Sequence, residues 1–186
     1  MIGFAFTGSF CTVSKALEIM ENLVLRGYEV LPIMSENVYN TDTRFAKADE
    51  VKRRINDITG KEIIHTIVGA EPLGPKMKLD AMVICPCTGN TLAKIANGIT
   101  DTSVTMAAKA HLRNDNPLLI CLASNDALSA NLKNIAILMS RKNVYFTPMI
   151  QDDPINKPHS LVTDFDWVES SLELALKGKQ NPKIFI

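Results

Sequence analysis

The sequence predicts a three-layer α/β fold: a doubly wound, mostly parallel sheet of about six strands with helices on both faces. Short apolar segments alternate with segments whose apolar residues recur at helical spacing, which is typical of parallel sheets. Residues 81–85 are apolar throughout and precede Pro86, which indicates a central strand buried on both faces. The pattern therefore predicts one domain, residues 1–186, of the Rossmann or flavodoxin-like kind.

The individual elements follow from this alternation. Strands are predicted at residues 2–6, 28–34, 63–68, 81–85, 118–122 and 144–146. Helices are predicted at residues 12–27, 43–58, 92–99, 102–112, 128–139 and 165–177. Pro32 is tolerated in its strand only near a strand end or at the edge of the sheet. The loop 69–76 contains two glycines and two prolines, so we expect a stiff segment that shapes a site or an interface.

The composition excludes several classes of partner. The chain carries 20 Lys plus Arg and 20 Asp plus Glu, so no overall field favours nucleic acid or a membrane surface. No apolar run approaches the length of a membrane span, and the four cysteines lack C-x-x-C spacing. We interpret them as reduced thiols of a cytoplasmic protein, with no metal site. Of the histidines, His65 is predicted to lie in the core or at an edge, and His111 and His159 to be solvated.

Small polar residues follow four of the predicted strands. These turns are residues 7–9, 35–37, 88–90 and 123–125, and the carboxyl ends of parallel strands meet at one edge of a sheet. Hydroxyl and N–H groups there suit a nucleotide phosphate. The chain has neither a G-x-G-x-x-G nor a G-x-x-x-x-G-K-[ST] motif, so a mononucleotide such as FMN fits better than NAD or ATP. The alternative is that α/β turns are commonly rich in such residues.

One motif in the chain resembles a known family. It reads Pro86-x-Thr88-Gly89-Asn90-Thr91-x-Ala93-Lys94-x-Ala96-x-Gly98-x-x-Asp101. This segment is similar to the signature loop of the flavoprotein family that includes the FMN-dependent cysteine decarboxylases. Further similar segments are residues 3–9, 40–45, 67–76 and 124–128, so that the resemblance covers nearly the whole chain. Two of them, residues 43–45 and 68–76, resemble the dipicolinate synthase branch of the family in particular.

The resemblance implies a function and partners. It implies the oxidation of dihydrodipicolinate to dipicolinate (pyridine-2,6-dicarboxylate), in the cytoplasm of the mother cell of a sporulating bacterium. It further implies a nicotinamide-binding-like partner, the A-type subunit of dipicolinate synthase, which would bring NAD(P), and a homo-oligomer of this chain that binds FMN. Pro72 occupies the position of the decarboxylases' catalytic histidine. Two alternatives stay open: a non-catalytic assembly protein, which this proline favours, and an FMN-dependent decarboxylase of unknown substrate, which it disfavours.

The resemblance also implies a set of cofactor-binding residues. Around the flavin phosphate and ribityl chain it places Gly8, Ser9, Ser35, Thr88, Gly89 and Asn90. Near the flavin ring it places Thr102 and Ser103, and Asn125 carries over from the decarboxylases' Pro-Ala-Met-Asn segment.

Two charged residues are the candidates for catalysis. Arg44 is predicted in the first turn of a helix, where a cation is unfavourable, which indicates a carboxylate or phosphate partner. Its planar guanidinium can hold a substrate carboxylate through two hydrogen bonds. Glu71 is the available base in the loop where the relatives have their histidine. The plainer alternatives are a solvated arginine and a solvated loop acid, and Lys76 and Lys94 are second choices for the carboxylate.

Overall fold

The computed structural model describes residues 1–74 and 76–186 and confirms the predicted α/β fold. Its sheet has seven strands: β1 Ile2–Phe6, β2 Val30–Met34, β3 Ala81–Thr88, β4 Leu118–Ser124, β5 Val144–Phe146, β6 Met149–Ile150 and β7 Leu161–Thr163. The strand order is β2-β1-β3-β4-β7-β6, and β5 pairs with β4. The pairs from β2 to β5 are parallel, whereas β7 is antiparallel to both β4 and β6.

Helices cover both faces of this sheet. They are α1 Val13–Leu25, α2 Glu36–Asn40, α3 Ala48–Thr59, α4 Ile67–Ala70, α5 Gly89–Ala96, α6 Ser103–Leu112, α7 Leu132–Met139 and α8 Val168–Leu176, with 3-10 turns at Phe10–Thr12 and Phe165–Trp167. Two apolar clusters form the core, one on each face, and alternate residues of β3 contribute to each. Among the described helices, none has the length and apolar character needed to cross a bilayer.

The central strand is longer than predicted. Residues 81–85 do form its buried centre, but β3 passes through Pro86 and ends at Thr88. The prediction that the strand stops at Pro86 was therefore wrong. The pairing with β4 shifts in register between Ile84 and Cys87, so the strand accommodates a residue that cannot donate to the ladder. Pro32 lies in β2, whose neighbour in the sheet is β1, in agreement with the predicted edge position.

Two predicted elements differ in the structure. The strand expected at residues 63–68 is absent: Ile64 forms only an isolated bridge with Ile33, and α4 begins at Ile67. The helix expected from Thr43 begins at Ala48 instead. Residues 43–46 form a turn in which the Thr43 hydroxyl oxygen accepts from the Phe45 and Ala46 N–H groups, and the Asp42 carboxylate accepts a hydrogen bond from the Ala48 N–H at 2.9 Å. Arg44 consequently lies in a loop, and the argument that placed it in a helical first turn was wrong.

Sequence reasoning also missed β6 and β7, which are two and three residues long and build an antiparallel extension on the end of β4. The prediction for His111 was wrong as well: this residue is 1% exposed, whereas His159 is exposed. Pro75, which belongs to the loop 69–76 predicted to be stiff, lies outside the described residues.

Candidate functional site

A cleft of about 910 Å³ opens at the carboxyl edge of the sheet. This volume lies within the range of about 300–1,000 Å³ that is typical of small-molecule sites. The turn after β1, the junction of β3 with α5 and the end of β4 form its floor, and the loop before α3 and residues 150–166 form its walls. Seven predicted site residues line it: Gly8, Ser9, Arg44, Thr88, Gly89, Asn90 and Asn125.

Thr7 joins the first two of these segments. Its buried hydroxyl donates to the Pro86 carbonyl at 2.8 Å and accepts from the Thr88 N–H at 2.9 Å. Thr88 in turn caps α5, because its hydroxyl oxygen accepts a hydrogen bond from the Thr91 N–H at 3.3 Å. The N–H groups of the first turn of a helix have no acceptor within the helix. Gly89 and Asn90 therefore present donors at the floor of the cleft.

A polar cluster that sequence reasoning missed lies beside them at the end of β4. The Asp126 carboxylate accepts hydrogen bonds from the Ser124 hydroxyl and, through both oxygens at 2.9 Å, from the Asn131 amide. These hydrogen bonds, that of Ser124 foremost, hold the pKa of Asp126 below its ordinary value, so the group is an anion at neutral pH. The only sequence signal was the segment 124–128, from which Asn125 rather than Asp126 was selected.

The same cluster requires glycine at the start of α5. A Cβ atom on Gly89 would lie 2.3 Å from the Ser124 hydroxyl oxygen, 2.6 Å from the Asn131 amide nitrogen and 2.9 Å from an Asp126 oxygen. Because Gly89 has no side chain, the turn after β3 and the turn after β4 can lie in direct contact. Side-chain amides continue the network outward, since buried Asn134 donates to Asn131 at 2.8 Å and exposed Asn97 donates to Asn134 at 3.4 Å.

Three cations line the cleft. Lys157 pairs with Asp152 at 3.0 Å, whereas Lys15 and Arg44 have no carboxylate within salt-bridge distance in the described parts of the chain. The Arg44 guanidinium lies 4.8 Å from the centroid of the Phe45 ring. Lys15 lies on α1, just beyond the turn after β1, and sequence reasoning missed it. Lys15 and Arg44 are thus available to a ligand, although Asp126, Asp152, Asp164 and Asp166 line the same cleft.

A smaller cavity of about 290 Å³ adjoins the cleft between α1 and α3. Phe10, Cys11 and Phe45 line both spaces, so the aromatic rings and the Cys11 thiol lie at the boundary between them. No group of three or more His, Cys, Asp or Glu side chains that could hold a metal ion occurs in residues 1–74 or 76–186.

Four predicted residues lie outside the cleft. Ser35 precedes α2, and its buried hydroxyl has no hydrogen-bond partner among the described residues. The Ser103 hydroxyl donates to the Met34 carbonyl at 2.6 Å, and Thr102 caps α6 through a reciprocal pair of hydrogen bonds with Thr105. Glu71 is exposed at the end of α4. Of the second choices for the carboxylate contact, Lys94 is paired with Asp101 at 2.9 Å.

Comparison with known proteins identifies the family. The model of the Flavoprotein family matches residues 1–165. The chain belongs to the Flavoprotein family. The B-type subunit of dipicolinate synthase from Bacillus subtilis strain 168 is 47% identical over 185 residues, which cover 100% of this chain and 92% of that protein. The resemblance predicted from the sequence motifs is thereby confirmed.

Solved structures agree with this assignment. The crystal structure of the B-type subunit of dipicolinate synthase from Bacillus halodurans C matches with a TM-score of 0.91 and 45% identity, over 100% of this chain and 95% of that one. The FMN-dependent cysteine decarboxylase SpaF matches with a TM-score of 0.71 and 21% identity, over 95% of this chain and 94% of that one. The second match shows a shared fold.

Proposed function

We propose that this chain is the B-type subunit of dipicolinate synthase. Together with the A-type subunit it would oxidise dihydrodipicolinate to dipicolinate in the cytoplasm of the mother cell of a sporulating bacterium. The observation that carries the proposal is the 47% identity to a B-type subunit of dipicolinate synthase over the whole chain. The cleft adds a suitable place for a small ligand at the sheet edge where open α/β sheets bind them.

The cofactor proposed for this cleft is FMN. Small residues at three strand ends leave backbone N–H and hydroxyl groups accessible. Lys15 and Arg44 form no salt bridge within residues 1–74 and 76–186, and Phe10, Phe45 and Phe165 provide aromatic surface. When bound, FMN supplies a ring that can accept a hydride. Ser35, Thr102 and Ser103 lie outside the cleft of a single chain, so their proposed contacts with the flavin require a rearrangement or a second copy.

The proposed role of Arg44 is to hold a carboxylate of the substrate. Its guanidinium lines the cleft without an internal acidic partner among residues 1–74 and 76–186, and a planar fork suits a carboxylate. Aromatisation of the substrate removes one hydride and one proton. The hydride would pass to the flavin or to NAD(P) on the A-type subunit, and Glu71 is the proposed proton acceptor. Because Glu71 is exposed outside this chain's cleft, that role requires a homo-oligomer in which one copy completes the cleft of another.

A non-catalytic assembly role is the second candidate. Pro72 occupies the position of the decarboxylases' histidine, and the neighbouring Glu71 does not line the cleft. The same proline disfavours the third possibility, a decarboxylase of unknown substrate. In the non-catalytic case the chain would serve to assemble or activate the A-type subunit.

The visible absorption spectrum of the purified chain, recorded with and without added FMN, tests the flavin site. We expect the flavin band to shift and flavin fluorescence to be quenched at stoichiometric FMN. The assembly role would be favoured if added FMN left the spectrum unchanged and the chain still gave full activity when mixed with the A-type subunit. Light scattering of the same sample measures the oligomer, and a monomer would contradict the proposed completion of the cleft by Glu71.

A further inference from the structure

The cavity of about 290 Å³ between α1 and α3, called the α1–α3 cavity from here on, has a mainly apolar lining. Val13 and Leu17 of α1, Val51 of α3 and the rings of Phe10 and Phe45 form most of it. Phe45 is 52% exposed although its side chain is large and apolar. Exposed apolar surface beside a cavity is typical of a place where another molecule binds.

The rim of the α1–α3 cavity carries one acid and one base. Glu50 and Arg54 are one helical turn apart on α3, and both line the cavity. Within residues 1–74 and 76–186 Glu50 forms no salt bridge, and Arg54 contacts Glu21 at 3.4 Å. Glu50 would repel a small anion and Arg54 a small cation. The charges therefore fit a protein surface that brings an apolar side chain together with a basic and an acidic neighbour.

The α1–α3 cavity borders the cleft. Phe10, Cys11 and Phe45 line both spaces. The proposed function brings NAD(P) on the A-type subunit, and a hydride passes only between groups held about 3–3.5 Å apart. The A-type subunit therefore has to lie against the rim of the cleft, and the α1–α3 cavity is an apolar recess beside that rim.

The two protein partners of this chain would use opposite faces of its sheet. Leu17 of α1 and Val51 of α3 belong to the apolar cluster on one face. Glu71, to which the proposed function assigns contact with a second copy, directly follows Ala70 of α4, which belongs to the cluster on the other face. Phe45 is part of residues 43–45, which resemble the dipicolinate synthase branch in particular. A wall with this resemblance suits contact with that branch's own partner.

From these observations we propose that the A-type subunit inserts an apolar side chain into the α1–α3 cavity. A basic group of the A-type subunit faces Glu50, and an acidic group faces Arg54. An apolar anchor in a pocket, surrounded by polar contacts, commonly supplies most of the binding energy of a protein interface. The inference rests on the proposed function and adds the surface on which the two proteins meet.

Isothermal titration calorimetry with the A-type subunit tests this surface. Ser14 is exposed and lines the α1–α3 cavity but not the cleft, so the ring in Ser14→Phe would occupy the cavity alone. Ser14→Phe should raise the dissociation constant at least about tenfold, and Arg54→Glu should raise it about tenfold because the charge at the rim is reversed. Both variants should bind FMN as the wild type does, since neither residue lines the cleft.

Two matched controls should bind the A-type subunit as the wild type does. Asn22→Phe adds the same ring at an exposed position of α1 that lines neither space. Arg113→Glu makes the same charge reversal at an exposed position just after α6, on the opposite face of the sheet. Thermal unfolding establishes that each variant is folded, and Arg54→Glu alone decides the test if Ser14→Phe is not.

Wild-type affinity of both Ser14→Phe and Arg54→Glu for the A-type subunit would overturn the inference and leave the proposed function intact. Light scattering that shows a smaller assembly of either variant alone would also overturn it, because a second copy would then occupy the cavity. Unchanged association with a raised KM for dihydrodipicolinate would make the cavity part of the substrate site instead. If the wild-type chain neither binds the A-type subunit nor supports its activity, the proposed function itself fails.

Discussion

At the scale of single residues, substitutions of Arg44 test its proposed contact with a carboxylate of the substrate. Arg44→Ala should lower kcat/KM of the enzyme reconstituted with the A-type subunit by about two orders of magnitude, because a substrate carboxylate would lose a charged, two-point partner. Arg44→Lys should restore little, since an ammonium group cannot reproduce the planar fork. Steady-state oxidation of dihydrodipicolinate measures both variants.

Arg53→Ala is the matched control for Arg44, because Arg53 is an exposed arginine of the neighbouring helix α3 and does not line the cleft. It should leave kcat/KM unchanged. If Arg44→Ala reduced kcat/KM by less than about fivefold while the two proteins still associated, Arg44 would be a surface arginine of the ordinary kind, whose ion pairs contribute about 0–1 kcal/mol.

At the scale of elements, the junction of β3 with α5 depends on Gly89. Alanine favours a helix by about 1 kcal/mol over glycine, but the added methyl would overlap Ser124, Asn131 and Asp126. Overpacking of this kind costs about 1–3 kcal/mol, which exceeds the gain in helix propensity, so Gly89→Ala should lower the free energy of unfolding by up to about 2 kcal/mol. Urea unfolding measures the change. Gly8→Ala is the control, because a Cβ there would approach the Phe10 ring no closer than 3.6 Å. Equal stability of the two variants would contradict the close packing of the junction.

The free energy of unfolding is expected to depend on pH through His111, which connects α6 to the residue before β4. Burial lowers the pKa of His111 below its ordinary value of 6.5, although its Nε2–H donates to the Pro117 carbonyl at 2.8 Å, which opposes the shift. The unfolded chain therefore binds a proton at a higher pH than the folded one. The contribution of His111 to the free energy of unfolding should therefore be fully present above about pH 6.5, and it should decline as the pH falls below that value.

Urea unfolding at pH 7.5 and 5.5 measures this decline. His111→Gln keeps an N–H donor for Pro117 and removes the titration, so its free energy of unfolding should fall less between the two pH values than that of the wild type. His159→Gln, at an exposed histidine, should retain the wild-type difference. Identical declines in wild type and His111→Gln would contradict the assignment to His111.

At the scale of the whole molecule, the proposed function requires two different proteins. This chain has no fingerprint for a nicotinamide dinucleotide, so oxidation of dihydrodipicolinate with NAD(P) should need this chain together with the A-type subunit. Each protein alone should give little turnover, and mixing should restore it with a saturable dependence on the second protein. NAD(P)-dependent turnover by this chain alone, at the rate of the mixture, would show that the proposed division of roles is wrong.

By itself the sequence determined the architecture and most of the cleft's floor. Alternating apolar periodicities specify a parallel α/β sheet, and because its strands run in the same direction their carboxyl ends lie at one edge. For that reason Gly8, Ser9, Asn90 and Asn125 could be predicted to lie together, as the cleft shows. Motifs in the same segments were enough to recognise the family.

Tertiary structure alone decided which polar groups meet across the sheet. Asp126 contacts the start of α5 because β4 lies beside β3, and no local pattern states which carboxylate will face a given glycine. The strands β6 and β7 are too short for a periodic signal, yet β7 pairs with β4 and β6 with β7, and this extension builds one wall of the cleft. Arg44 reaches the cleft from a loop and Glu71 does not, because loop paths follow from packing and capping over the whole chain rather than from local propensity.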